Sequence, residues 1–154
     1  MSDLPLWMKH PWLNPPRVAL HQRTSYHPGH PVSPYTSMEG IGQVLHSLSY
    51  SLETGMDVWG HPSYVQFNVD QYTHGYRGDC DTTAMYLAAA GIKNKLVDSG
   101  TMKALVFFWI SNTGDANGHV AVTYKRNGIE WMHSNWNNCQ PLAGKALDLV
   151  ASRW

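Results

Sequence analysis

The sequence predicts an α+β fold in which helices come first and an antiparallel sheet follows. Three stretches carry that expectation. Apolar residues at three- and four-residue spacing begin after Ser37. An apolar run from Cys80 to Ala90, entered through Gly78 and closed by Gly91, reads as a further helix. From Ala104 onward the chain is rich in strand formers and contains Asn127-Gly128, its strongest hairpin signal. Helices followed by a run of strands define the α+β class.

The first 36 residues stand apart. They hold seven of the nine prolines: Pro5, Pro11, Pro15, Pro16, Pro28, Pro31 and Pro34. Proline at this density removes backbone donors and forbids regular helix and most sheet pairing. Trp7, Trp12, Leu13 and Val18 make the segment too apolar for a solvated tail. Residues 1–36 are therefore read as an extended arm lying on the domain, with a flexible portion around His27-Pro28-Gly29-His30, or docking on a partner. Residues 37–154 form the domain itself.

Within the domain, Ile41, Val44, Leu45, Leu48 and Leu52 mark one face of an amphipathic helix. Ser37 or Thr36 caps its start, Glu39 sits in its first turn, and Gly55 ends it. Residues 57–76 are rich in aromatics and amides, with a short helix or turn starting after Pro62. This segment reads either as a core-lining loop or as one wall of a substrate cleft. Lys95 to Asp98 reads as a short strand. Ala104 to Ile110 is almost continuously apolar, which predicts a central strand buried on both faces. Ser111 to Asn117 is a polar loop, and His119 to Tyr124 a strand. A two-residue type I′ turn at Asn127-Gly128 leads into a returning strand over Ile129 to Asn135. Leu142 to Val150 reads as a C-terminal helix.

Composition narrows the function classes. Eleven basic residues balance eleven acidic ones in 154, and only 14% are charged. No global basic field exists to hold nucleic acid or an anionic membrane surface. The N-terminus lacks a basic segment followed by an apolar run, and no stretch approaches the roughly 18 to 20 apolar residues of a membrane span. These features predict a soluble protein made in the cytoplasm, and they are compatible with export by a signal-less route or packaging into a particle. Among the nine histidines, no pair before the central region has helical or hairpin ligand spacing. The two cysteines, Cys80 and Cys139, could form one disulfide, but Cys80 has a better use.

A cysteine in the first turn of a helix lies at the positive end of the helix dipole, which favours the nucleophilic thiolate. Asp79 and Asp81 flank Cys80 as cap and first-turn residues, and their charge opposes that effect. A credible nucleophile therefore needs a base. With Asn127-Gly128 at the turn, facing residue numbers across the hairpin sum to about 255. His119 then lies roughly opposite Trp136, one residue from Asn135. The Asn135 amide can orient one imidazole nitrogen while the other faces Cys80, with His133 or Asp115 as alternatives in the orienting role. Gln66, Asn68, Gln71 and Asp79 are the cleft or oxyanion candidates. A zinc site from Cys80, His119, His133 and Cys139 has no common ligand spacing, so no metal and no cofactor are expected.

The set Gly78-Asp79-Cys80-Asp81, the Ala-rich helix ending Ala90-Gly91-Ile92, Gly118-His119-Val120-Ala121-Val122 and Trp131-Met132-His133-Ser134-Asn135 resembles the transglutaminase-like superfamily, closest to the bacterial transglutaminase-like cysteine peptidases. It covers roughly residues 57–139. The resemblance implies a papain/transglutaminase-like core with Cys80 as nucleophile, His119 as base and Asn135 as orienting residue, in place of the commoner Asp. It implies acyl transfer on an amide of a protein or peptide through a thioester. Hydrolysis by a peptidase, amidase or deamidase is favoured, because no acidic calcium-binding loop is visible. The alternatives are transglutaminase-type cross-linking, or a non-catalytic binding or structural module of the same fold.

Overall fold

The computed structural model describes residues 23, 25–48, 59–71, 78–114, 116–134 and 138–141. Within them lie three helices, α1 (Met38–His46), α2 (Pro62–Gln71) and α3 (Cys80–Lys93). Four strands follow: β1 (Lys103–Ile110), β2 (Ala116–Arg126), β3 (Ile129–Ser134) and β4 (Asn138–Pro141). The strands form one antiparallel sheet in the order β1-β2-β3-β4. Helices packed against an antiparallel sheet make the α+β class a finding.

Helix α1 starts where expected. Ser37 is its N-cap, and its hydroxyl accepts from the Gly40 N–H at 3.0 Å. It ends sooner than the apolar spacing predicts. At Ser47 the hydroxyl donates to the Val44 carbonyl at 2.6 Å, and the next amide, Leu48, bonds back to Leu45 at 3.1 Å. This tightening closes the helix. Leu48 is still buried, but from beyond the helix end. The predicted Leu52 and Gly55 lie outside the described residues.

Helix α2 opens with Pro62 at its first position, where a missing N–H costs nothing. Helix α3 runs past Gly91, correcting its expected stop. The glycine is there for close packing: a Cβ would sit 2.8 Å from Met38 Sδ and 3.0 Å from Met102 Cε. The real ending is a Schellman motif with Lys95 in the left-handed region at φ 55°. Leu96 N–H bonds to the Gly91 carbonyl at 3.0 Å and Lys95 N–H to Ile92 at 3.1 Å. That turn occupies the stretch read as a strand over Lys95 to Asp98. Asp98 then clamps the distant hairpin, its carboxylate accepting from Asn127 N–H at 3.2 Å and Gly128 N–H at 2.9 Å.

The hairpin matches its expected geometry. Asn127 and Gly128 both have positive φ, 53° and 76°, as a type I′ turn requires. Arg126 faces Ile129 and Val122 faces His133, the register that sums to 255. The continuous apolar run at β1 is misplaced by its own periodicity, however. It is an edge strand of the described sheet, with Val106 and Ile110 exposed. The strand buried on both faces is β2, where every residue from His119 to Tyr124 is buried. β4, short and Pro-terminated, gave no strand signal. The C-terminal helix lies outside the described residues.

One core joins these elements. Ile41 and Leu45 of α1, Val65 of α2, and Ala84, Leu87 and Ala90 of α3 cluster with Val120, Val122 and Tyr124 of β2. Ala121 and Met132 are equally buried yet stand outside that cluster. Strand alternation explains this: Val120, Val122 and Tyr124 share the helix-side face with their facing residues Trp131 and His133. His119, Ala121, Thr123, Met132 and Ser134 point to the other face.

The arm residues 25–36 contain no helix or strand, as their prolines demand. They are pinned to α2 and α3. Ser33 N–H donates to Gln66 Oε1 at 2.8 Å, and Tyr35 N–H to Asn94 Oδ1 at 3.0 Å. His30 Nδ1 lies 2.7 Å from Asp70.

Candidate functional site

Cys80 is the first residue of α3, half-buried, a thiol packed against the core cluster. Asp79 is the N-cap, its carboxylate accepting from Asp81 N–H. Asp81 is buried rather than on the surface, and accepts from Thr82 Oγ1 at 3.2 Å. The same Thr82 oxygen accepts from Gly60 N–H at 2.9 Å. Gly60 therefore lies against the first turn of α3 with no room for a side chain: a Cβ would come within 2.9 Å of Thr82 Cγ2. Two acidic side chains thus sit beside Cys80, so the surroundings of α3's start do not by themselves favour a thiolate.

The two ends of α3 can be located along the sheet. Its C-terminal end is fixed by Gly91 beside Met102, just ahead of β1, and by Asp98, which bonds to the β2–β3 turn. Eleven residues back, Cys80 is about 17 Å away along the helix axis. On β2, Thr123 faces the start of β1, and His119 lies four residues further, about 13 Å along the strand. A helix running along the strands would bring Cys80 toward the sheet end that carries His119 and Ser134, on the opposite face from them.

His119 is buried, and its Nε2 is 2.6 Å from Ser134 Oγ. Burial pushes the imidazole below the ordinary histidine range, so it is neutral near pH 7. Ser134 is a described neighbour that engages it; Asn135 and Asp115 lie outside the described residues. His133 is on the helix-side face, fully buried, directly opposite Val122. His119 opens on the opposite face, next to Gly118, which is exposed and leaves the strand without a side chain there.

The amides of α2 divide. Gln66 is buried and fully engaged, accepting from Ser33 N–H and Tyr86 OH and donating to Asp70 at 2.7 Å. Asn68 donates to the Tyr64 carbonyl at 2.7 Å. Gln71 is exposed at the last position of the helix. Gln66 holds the arm, and Asn68 bonds within its own helix. Among the described residues no group of three or more His, Cys, Asp or Glu converges as metal ligands; the Cys139 side chain lies outside them. No described helix is long and apolar enough to cross a membrane.

Ser134 was missed by sequence reasoning. A serine between a histidine and an asparagine carries no signal of its own until the strand parity is known. Asp98 and Gln66 were likewise invisible as clamps, because their partners are distant in sequence.

No family model matches the chain, and neither a curated protein nor a solved structure does.

Proposed function

We propose that the chain is a cysteine-dependent acyl-transfer enzyme with a papain/transglutaminase-like core, acting on an amide of a protein or peptide. The observation that carries the reading is the buried His119–Ser134 pair at one end of the sheet, with Cys80 opening the helix packed on the sheet's other face. In this reading Cys80 Sγ attacks the amide carbonyl carbon and its proton passes to His119. The tetrahedral oxyanion is held by backbone N–H groups at the start of α3. Collapse expels the amine, which takes the proton from His119 and leaves a thioester on Cys80. Water then attacks the thioester, His119 accepting its proton, to give the carboxylic acid and regenerate the thiol.

Ser134 engages Nε2, so Nδ1 is the nitrogen this reading assigns to the thiol. Ser134, with or without Asn135, takes the orienting role. A base that is neutral at rest fits a thiol surrounded by Asp79 and Asp81. Deprotonation accompanies attack rather than preceding it as a stable ion pair.

A second assignment of the base has its own support. His133 shares the helix-side face with the cluster against which Cys80 packs, whereas His119 opens on the other face. Trapping decides between them. Incubation with an activated acyl amide, followed by mass spectrometry, should show a thioester on Cys80 that forms in His133→Gln and fails in His119→Gln. The reverse pattern moves the base to His133. No adduct in the wild type leaves the fold as a binding or structural module. Adding an amine acceptor separates hydrolysis from cross-linking, through the product released.

A further inference from the structure

A second titratable arrangement lies at the start of α2. Tyr26, His27, His30, His61, Ser63 and Lys93 line a cleft of about 410 Å³ between the arm and the starts and ends of two helices. At its centre, Ser63 Oγ accepts from His27 N–H at 2.9 Å. Its hydroxyl proton is thereby directed to His61 Nδ1, 2.7 Å away. Ser63 N–H points to the same nitrogen at 3.1 Å. His61 Nδ1 thus receives two donors and must carry a lone pair, with the ring proton on Nε2. Functionally the imidazole replaces the usual Ser, Thr, Asp or Asn cap of a helix. The His61 backbone N–H donates to Ser25 Oγ at 2.6 Å, and the imidazole meets the Tyr26 ring edge-on at 5.0 Å.

We propose that His61 is a protonation-controlled latch that holds residues 25–28 of the arm over the start of α2. A proton on Nδ1 turns the acceptor of the Ser63 backbone N–H into a donor and forces the Ser63 hydroxyl to turn round and accept from it. It also puts a cation at the positive end of α2, whose first turn holds no acid. The groups around the cleft offer no compensation. The arm contributes Tyr26, His27 stacked on Phe67 at 4.5 Å, and His30; α3 contributes Lys93, whose ammonium donates to the Val32 carbonyl. Among the described residues the carboxylate near them is Asp70, which is at the far end of α2 and engages His30. Burial also holds His61 below the ordinary histidine range, in agreement with the neutral form.

Opening is local by construction. The next part of the arm is held by Ser33–Gln66 and Tyr35–Asn94, bonds between groups that do not titrate. The pivot between the two regimes is Gly29, at φ +88°, with open space where a Cβ would sit. Acidification releases residues 25–28 and uncovers Pro62 and Ser63, while residues 30–35 stay bound.

Amide hydrogen exchange on the full chain, corrected for intrinsic rates, tests this between about pH 7 and about pH 5. Protection of the His27 and His61 amides should fall by up to about tenfold per pH unit, while that of Tyr35 holds. His61→Asn supplies a cap that does not titrate and should abolish the response; His27→Gln should keep it. Loss of protection in His61→Asn as well, or loss at Tyr35 in step with His27, overturns the proposal. So does a nitrogen spectrum that places the His61 proton on Nδ1 at neutral pH.

Discussion

His119 and Ser134 meet across the end of the β2–β3 pair, Nε2 to Oγ at 2.6 Å, with both side chains buried. The hydroxyl fixes the ring's rotation, which an exposed histidine at a strand end would not have. In the proposed enzyme Ser134→Ala should lower the rate of Cys80 acylation by about tenfold, the worth of one buried hydrogen bond. Ser134→Thr should restore much of it. A purely packing role for Ser134 would leave acylation unchanged at equal stability.

Acid should affect His119 twice, and in one direction. Its folded pKa is depressed by burial, so the unfolded chain binds the proton more readily. The stability it gives is present above the ordinary histidine pKa and is lost as pH falls through the lower folded value. Acylation of Cys80 should decline over the same lowered range, so the acid limb lies below that of an ordinary histidine. Denaturant midpoints and acylation rates measured against pH check both; an acid limb above the ordinary histidine range contradicts the neutral-base account.

Two glycines should respond differently to alanine. Gly60→Ala forces a methyl against Thr82, a stiff β-branched residue that is itself buried and hydrogen-bonded. Overpacking of this kind costs about 1–3 kcal/mol. Gly91→Ala meets the ends of Met38 and Met102, which can move, and gains about 1 kcal/mol of helix propensity. Urea denaturation should show Gly60→Ala as clearly the more damaging of the two.

Lys95→Gly should stabilise the chain. Lys95 occupies the left-handed position of the α3 cap at φ 55°, where glycine meets no steric penalty. A gain of about 0.5–1 kcal/mol is expected, seen as a higher denaturant midpoint with unchanged slope. A loss would mean that the exposed Lys95 side chain contributes more than the turn costs.

Tyr86→Phe should destabilise the arm more than the sheet. Its hydroxyl links Tyr35 OH at 2.6 Å to Gln66 Oε1 at 2.7 Å, and burial raises its pKa far above the usual phenol range. Removing it leaves Tyr35 with one partner fewer and costs about 1–2 kcal/mol. Amide exchange should rise at Ser33 and Tyr35 before it rises in β2.

Local signals made much of this architecture legible. Ser37 announces α1, Pro62 announces α2, and Asn127-Gly128 sets the hairpin register because both residues accept positive φ. Local signals failed where distant partners decide. Gly91 looked like a helix stop, but it is a packing contact with Met38 and Met102. The apolar run of β1 could not say whether a neighbour covers it, and β2 took the central place. For the site, Cys80 and His119 were readable as residue types at plausible spacing. Ser134 was not, since only the parity of β3 reveals that it shares a face with His119.

The most direct test of the central claim is labelling of the native protein with a thiol-reactive electrophile that mimics an amide, comparing wild type, Cys80→Ala, His119→Gln and Ser134→Ala. The account predicts rapid, selective modification of Cys80 over Cys139, slowed about a hundredfold or more without His119 and about tenfold without Ser134. Equal, slow modification of Cys80 and Cys139, indifferent to His119, would contradict it.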